Sequence, residues 1–160
     1  MSVPVWASAF LTAFVVGSLA EYWGHRVMHL WFKKAKHIEH HRSGTGQGFV
    51  REFFGYTRGS WPLFVAGFLY SLEAGAGFAF GGLLFSALAA YAHELQHEHP
   101  ECCFWLSQPV HHIHHAEKMW DHNFGITVDV WDRLFGTYRR VERRQPAGVS
   151  WRNLLRIKWF

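Results

Sequence analysis

A chain of 160 residues is the length of one domain, and its 49% apolar and 18% aromatic content excludes a disordered protein. Two cysteines are too few for a disulfide framework. The formal charge of +4 would ordinarily suggest nucleic acid or an anionic membrane surface, and the 13 histidines are the larger anomaly.

All 16 Lys and Arg fall in two blocks, Arg26 to Arg58 and Lys118 to Lys158. Apolar stretches alternate with these blocks, which favours a membrane over nucleic acid. The near-zero mean hydropathy then averages two unlike parts. The first apolar stretch, Val3–Ala20 extended by Glu21–Trp23, reaches about the ~20 residues a spanning helix needs. Pro4 suits its first turn. No basic region precedes it and no short cleavage pattern is clear, so it does not read as a signal peptide.

Ser43-Gly-Thr-Gly-Gln-Gly48 reads as a flexible loop. No strand precedes it and no Gly-Lys-Ser/Thr follows, so it is not a phosphate loop. The next apolar stretch, Trp61–Ala92, has Glu73 as its only charge. It is too long for one ordinary span and short for two full ones. Glu73-Ala-Gly-Ala-Gly77 reads as a turn, giving a hairpin of helices over roughly 59–73 and 78–98. A hairpin returns the chain to the side it left, so both basic blocks share one compartment. The positive-inside rule makes that the cytoplasm and puts the N-terminus outside. The tail Ser150–Phe160 fits a short amphipathic helix on the membrane surface.

Four histidine clusters punctuate this layout: His25/His29, His37/His40/His41, His93/His97 and His111/His114/His115. On a helix, positions i and i+4 lie about 40° apart, so HxxxH puts two imidazoles on one face. Neutral ring nitrogens are metal ligands. Each cluster sits at the expected cytoplasmic end of an apolar helix or in a cytoplasmic segment, so all four can converge just outside the bilayer. These ten histidines suffice for two metals with open or water-filled positions. A tetrahedral catalytic zinc would use only three protein ligands. His93-Glu94-Leu95-Gln96-His97 is also a literal HExxH, which on a membrane helix could mark a zinc metalloprotease with Glu94 as general base. That reading leaves the other eight cluster histidines idle. A soluble di-iron carboxylate bundle would need a second Glu-x-x-His motif, which is missing. The non-enzyme alternative is a metal-binding or lipid-interacting membrane protein.

The order HxxxH, HxxHH, HxxxH, HxxHH resembles the fatty acid hydroxylase/sterol desaturase superfamily of membrane di-iron enzymes. Asp121-His-Asn123-Phe124-Gly125 and Trp131-Asp-Arg-Leu-Phe-Gly-Thr-Tyr138 are similar to that family's C-terminal signature. The resemblance covers about residues 18–140. It implies an all-α integral membrane bundle with about three membrane helices, one span plus a helical hairpin, under a cytosolic histidine-rich helical cap. It implies a single domain over 1–160 and two iron ions, with zinc able to occupy the site in purified protein. By the resemblance His25, His29, His37, His40, His41, His93, His97, His111, His114 and His115 are the ligands. Asp121 and Asn123 would be supporting groups near the fourth cluster, with His112 and His122 as further candidates.

The implied reaction is O2-dependent hydroxylation of a membrane lipid C–H bond, with desaturation or carotenoid hydroxylation as alternatives. Electrons would come from a separate donor, cytochrome b5-like or ferredoxin-like, and no nucleic acid is involved. His99, His112 and His122 fall outside the ligand spacing and read as hydrogen-bonding residues. Cys102-Cys103 reads as a reduced pair.

Overall fold

A computed structural model describes residues 4–32, 35–142 and 149–160; Val3, the expected start of the first span, lies outside them. Every regular element among the described residues is helical. Helix α1 runs Val5–Val27 and passes into a π-helical turn over Met28–Phe32. Next come α2, Ala35–Ser43, and α3, Phe49–Tyr70. Helix α4 spans Leu72–Glu98, α5 Val110–Ala116 and α6 Val130–Leu134.

Two segments, Val5–Trp31 and Leu72–Glu98, are long and apolar enough to cross a bilayer at 27 residues each. The two run parallel. Gly77 of α4 lies against the Trp6 carbonyl and Ala9, and Gly81 against Phe10 and Ala13. Gly77-x-x-x-Gly81 is the small-residue spacing that lets helices approach closely in lipid. Helix α3 runs antiparallel to α4, with Phe68 on Gly75 and Phe64 on Gly82. The ends of α1 and α4 and the start of α3 therefore share one end of the bundle. Outward faces carry exposed Trp6, Leu11, Val15, Phe68, Leu69, Leu72, Phe80 and Leu84. Apolar surface on that scale marks a lipid-facing wall.

The hairpin differs from expectation in its turn. The chain reverses at Ser71, whose side chain accepts the Ala74 N–H and caps α4. The glycines expected to form the turn instead lie within α4 as packing surface, because their missing Cβ atoms admit the neighbouring helices. Helix α3 also begins earlier than 59, at Phe49, and carries Pro62 inside it. The tail Ser150–Phe160 holds only one 3-10 turn, Asn153–Leu155, in place of the expected amphipathic helix. Its backbone is used elsewhere: the Phe49 and Val50 N–H groups at the start of α3 donate to the carbonyls of Lys158 and Trp159. Ile157 is buried with Leu95, Cys102 and Cys103. Both cysteines are free thiols, and burial pushes the Cys103 thiol up to about 12.

Helix α1 carries a polar stripe at Ser18, Glu21, Tyr22 and His25, spaced for one helix face. The segment 124–137 covers that stripe. Trp131 Nε1 donates to Ser18, the Ile126 and Thr127 N–H groups donate to Glu21, and Tyr22 hydrogen-bonds Thr137. Buried polar groups need such partners. This stripe is what fastens the C-terminal half to the membrane helix beside the histidines.

Candidate metal centre

The ten cluster histidines meet at the shared end of the bundle and sort into two groups. Ligand nitrogens of His25, His29, His41 and His114 lie within 4.8 Å of one another, as do those of His40, His97, His111 and His115. His37 joins the first group, its Nε2 2.8 Å from that of His29. His93 packs its ring on those of His97, His111 and His40 in the second, while one of its nitrogens lies within 4.8 Å of carboxylate oxygens of Glu52 and Glu94. Each group thus holds two i,i+4 pairs and one singleton. The first has 25/29, 37/41 and 114; the second has 93/97, 111/115 and 40. In each HxxHH helix the i+3 histidine turns to the other side of the i,i+4 pair and crosses to the opposite group. The groups abut, with the rings of His41 and His115 stacked at 4.0 Å.

Four imidazoles have their tautomer fixed by a neighbour that can only accept. His25 Nδ1–H donates to the Phe124 carbonyl at 2.7 Å and His114 Nδ1–H to the His122 carbonyl at 2.7 Å. His40 and His97 donate to the carbonyls of Thr45 and Gly44, both at 3.0 Å. His93 sets its Nδ1 2.5 Å from Glu52, whose carboxyl burial pushes up to about 7. Where Nδ1 carries the proton, Nε2 presents a bare lone pair. The lone pairs of His25 and His114 both converge on His29 Nε2, at 3.2 Å and 3.1 Å, where a single N–H could meet only one of them, and that of His97 faces His111 Nε2 at 3.2 Å. Lone pairs crowded so closely repel unless a cation sits between them. Metal–imidazole bonds of about 2.1 Å place neighbouring ligand nitrogens about 3 Å apart. The donor set therefore fits a metal, and five imidazoles per group exceed the four ligands of structural zinc.

Burial keeps these rings neutral. Desolvation, and then the neighbouring imidazoles, push His37 and His40 down to about 4 and His41 to about 3. His114 is held near 3, and His111 and His115 lie well below the usual imidazole value, for the same leading cause. At neutral pH their nitrogens are free of the proton that would compete with a metal.

Asn123, expected as a supporting group, is fully buried at a positive φ of 60°. None of its hydrogen bonds goes to a cluster ring. Its side chain donates to the Arg139 carbonyl and accepts the Arg139 N–H, bracing the turn whose carbonyls at 122 and 124 orient His114 and His25. Asp121 hydrogen-bonds His122 on the exposed surface, so His122 serves the first group through its backbone alone. His112 lies half-buried beside His111. His99 sits 3.3 Å from Glu101, outside both groups.

Sequence reasoning missed the carboxylates and amides behind the rings. Asp132, fully buried, accepts the Phe124 and Gly125 N–H groups and the Thr137 hydroxyl. Gln96 donates to the Ile126 carbonyl and accepts the His111 N–H. Glu94, also fully buried, accepts the Gly48 N–H, and Gly46 packs against its carboxylate. The glycine-rich loop at 43–48 holds the protein's own carboxylates: Gln47 N–H also donates to Glu52. This arrangement leaves no room for a peptide at Glu94, so the HExxH protease lacks an accessible base. An acid alone in an apolar run, as Glu21 and Glu94 nearly are, was the available signal.

These features define an all-helical membrane protein whose histidines form two adjoining metal-competent groups. The chain belongs to the fatty acid hydroxylase family, whose model matches residues 10–137. That family comprises membrane oxygenases of the hydroxylase and desaturase type. No curated protein and no solved structure matches the chain.

Proposed function

We propose that the chain is an O2-dependent hydroxylase of a membrane lipid C–H bond, with one iron in each histidine group and electrons from a separate donor protein. The observation that carries this reading is the paired set of five-imidazole groups with opposed lone pairs, set at the end of lipid-facing helices. In the first group His25, His29, His37, His41 and His114 would hold the metal; in the second, His40, His93, His97, His111 and His115. Two reduced irons supply the O2-activating, C–H-oxidising chemistry when bound.

The protein's own part is positioning and exclusion of water. A cavity of about 960 Å³ runs from His25, His37, His40, His93 and His111 to Gly17, Leu63 and Phe85 deep in the bundle. An apolar chain lying against Gly17, Leu63 and Phe85 would extend toward the histidines along this cavity. The backbone carbonyls behind His25, His40, His97 and His114 hold those four imidazoles in the tautomer that leaves Nε2 free to bind. The basic blocks at the histidine end favour a cytoplasmic site with the N-terminus outside.

The test is metal analysis and O2 uptake on untagged protein in detergent. About two irons per chain, and O2 consumption with a reduced donor that adds one oxygen to a lipid, are expected. Metal binding without any O2 consumption would sink the oxygenase reading. Loss of two hydrogens from the lipid, with no oxygen added, would make the enzyme a desaturase.

A further inference from the structure

Helices α1 and α3 both pack along α4 but touch each other little. Between them lies the cavity that reaches the histidines, with α4 behind it. Its walls are thin where glycine replaces a side chain: a Cβ at Gly24, Gly55 or Gly59 would meet nothing within 4 Å. The cavity is therefore a cleft open sideways, between two helices whose outer faces meet lipid.

Two arginines line it from α3. Arg51 and Arg58 stand seven residues apart, about two turns, so both face the same wall. Both are exposed, and neither forms an ion pair with a described residue. The carboxylates that line the same cleft are already committed. Glu21 accepts the Ile126 and Thr127 N–H groups, and Glu52 holds His93 and the Gln47 N–H. The cleft thus combines an apolar depth at Gly17, Leu63 and Phe85 with two uncompensated guanidinium groups at its side.

We propose that the cleft is built for an amphiphile with one acyl chain and an anionic head, the head held by Arg51 and Arg58 and the chain lying between α1 and α3. Guanidinium groups are matched to carboxylate and phosphate oxygens alike, so either head satisfies the chemistry. This substrate class rests on the reading of the cleft as the oxygenase's substrate site.

The test measures binding of radiolabelled hexadecanoic acid, hexadecyl phosphate and hexadecanol to iron-loaded protein in phosphatidylcholine nanodiscs. The wild type is expected to bind at least one of the two acids about tenfold or more tighter than the alcohol, the scale of a charge-assisted hydrogen bond. Which acid binds tighter separates a carboxylate from a phosphate head. The double variant Arg51→Gln/Arg58→Gln is expected to lose that preference, keeping its iron content and its affinity for the alcohol. Arg51→Lys/Arg58→Lys is expected to retain part of it. Equal binding of acids and alcohol by the wild type overturns the proposal, as does a preference that survives the double variant. So does loss of acid and alcohol together, which would make the arginines supports of the bundle. If that overturned protein still consumes O2 and oxidises a lipid, the oxygenase reading stands without this one. Selective acid binding by a protein that never consumes O2 has the reverse meaning.

Discussion

The two histidine groups have nearly the same internal make-up but different outer supports. The first group leans on the turn at 122–124, whose carbonyls orient His114 and His25. That turn is held by Asp132 and Asn123. The second group leans on the loop at 44–48, whose carbonyls orient His97 and His40. That loop is held by Glu94 and by Lys158, which donates to the Gly46 carbonyl. A carboxylate stands directly behind only one of the ring nitrogens described above as oriented inside the groups, at His93. Two histidine groups built from one set of motifs can thus be disturbed separately, because their supports come from distant parts of the chain.

The largest effect should come from the ligands. His114→Ala is expected to lower bound iron from about two per chain to about one, and His97→Ala to do the same at the other group. Either change should abolish lipid oxidation if, as proposed, both groups hold iron. Metal analysis beside product analysis checks this. Retention of two irons by either variant would show that the grouping is wrong.

The histidine spacing made both groups' membership legible but not their partition. Repeats of i,i+4 declare a shared helix face, so the ten positions could be read directly from the chain. That His40 leaves His37 and His41, and His114 leaves His111 and His115, depends on how α2 and α5 are rotated against α1 and α4. Only tertiary packing fixes that rotation. The membrane helices were legible from apolar length, while the turn was misjudged. Glycines at 73–77 carry the same local signature whether they end a helix or admit a neighbour. The carboxylate supports were hidden because a buried acid and a surface acid look alike until their partners are known.

The next effect belongs to the support of the first group. Asp132→Ala leaves the Phe124 and Gly125 N–H groups and the Thr137 hydroxyl without their buried acceptor. The cost is expected at roughly 3 kcal/mol or more. Thermal unfolding in detergent should show a lower midpoint, and iron should be lost first from the group containing His25 and His114. Uniform loss from both groups would mean that the supports are not independent.

Acid should act on both groups together. His37 and His40 titrate near 4 in the folded protein and His41 and His114 near 3, against about 6.5 in an unfolded chain. Below about 6.5 the unfolded chain takes up protons that the folded one refuses. The rings' share of the metal-free protein's stability should therefore be complete above about pH 6.5 and lost as pH falls toward 3, while the Glu52 carboxyl, pushed up to about 7 by burial, favours the fold as pH falls through 7. A midpoint that rises as pH falls from about 4.5 to 3, where the carboxyl no longer contributes, would mean that these rings are not buried in neutral form.

The smallest effect tests a further asymmetry between the groups, the carboxylate beside His93. Two histidines have a carboxylate at Nδ1 within 2.7 Å, His93 with Glu52 and His122 with Asp121. The Glu52 side chain is 6% exposed and the Asp121 side chain 73%. A buried carboxylate behind a ligand imidazole orients the ring and raises its basicity, and losing it typically costs about 10–100-fold in metal affinity. Glu52→Gln should therefore weaken iron binding at the second group by about tenfold, with the first group unchanged. Glu52→Asp should restore part of the loss. A solvent-screened pair on a residue outside both groups carries no such effect, so Asp121→Asn should leave both affinities as they are. Chelator titration of iron-loaded protein, followed by the two groups' separate release, reads all three variants. Equal weakening by Glu52→Gln and Asp121→Asn would show that burial does not decide which carboxylate serves the metal, and that the two groups are supported alike.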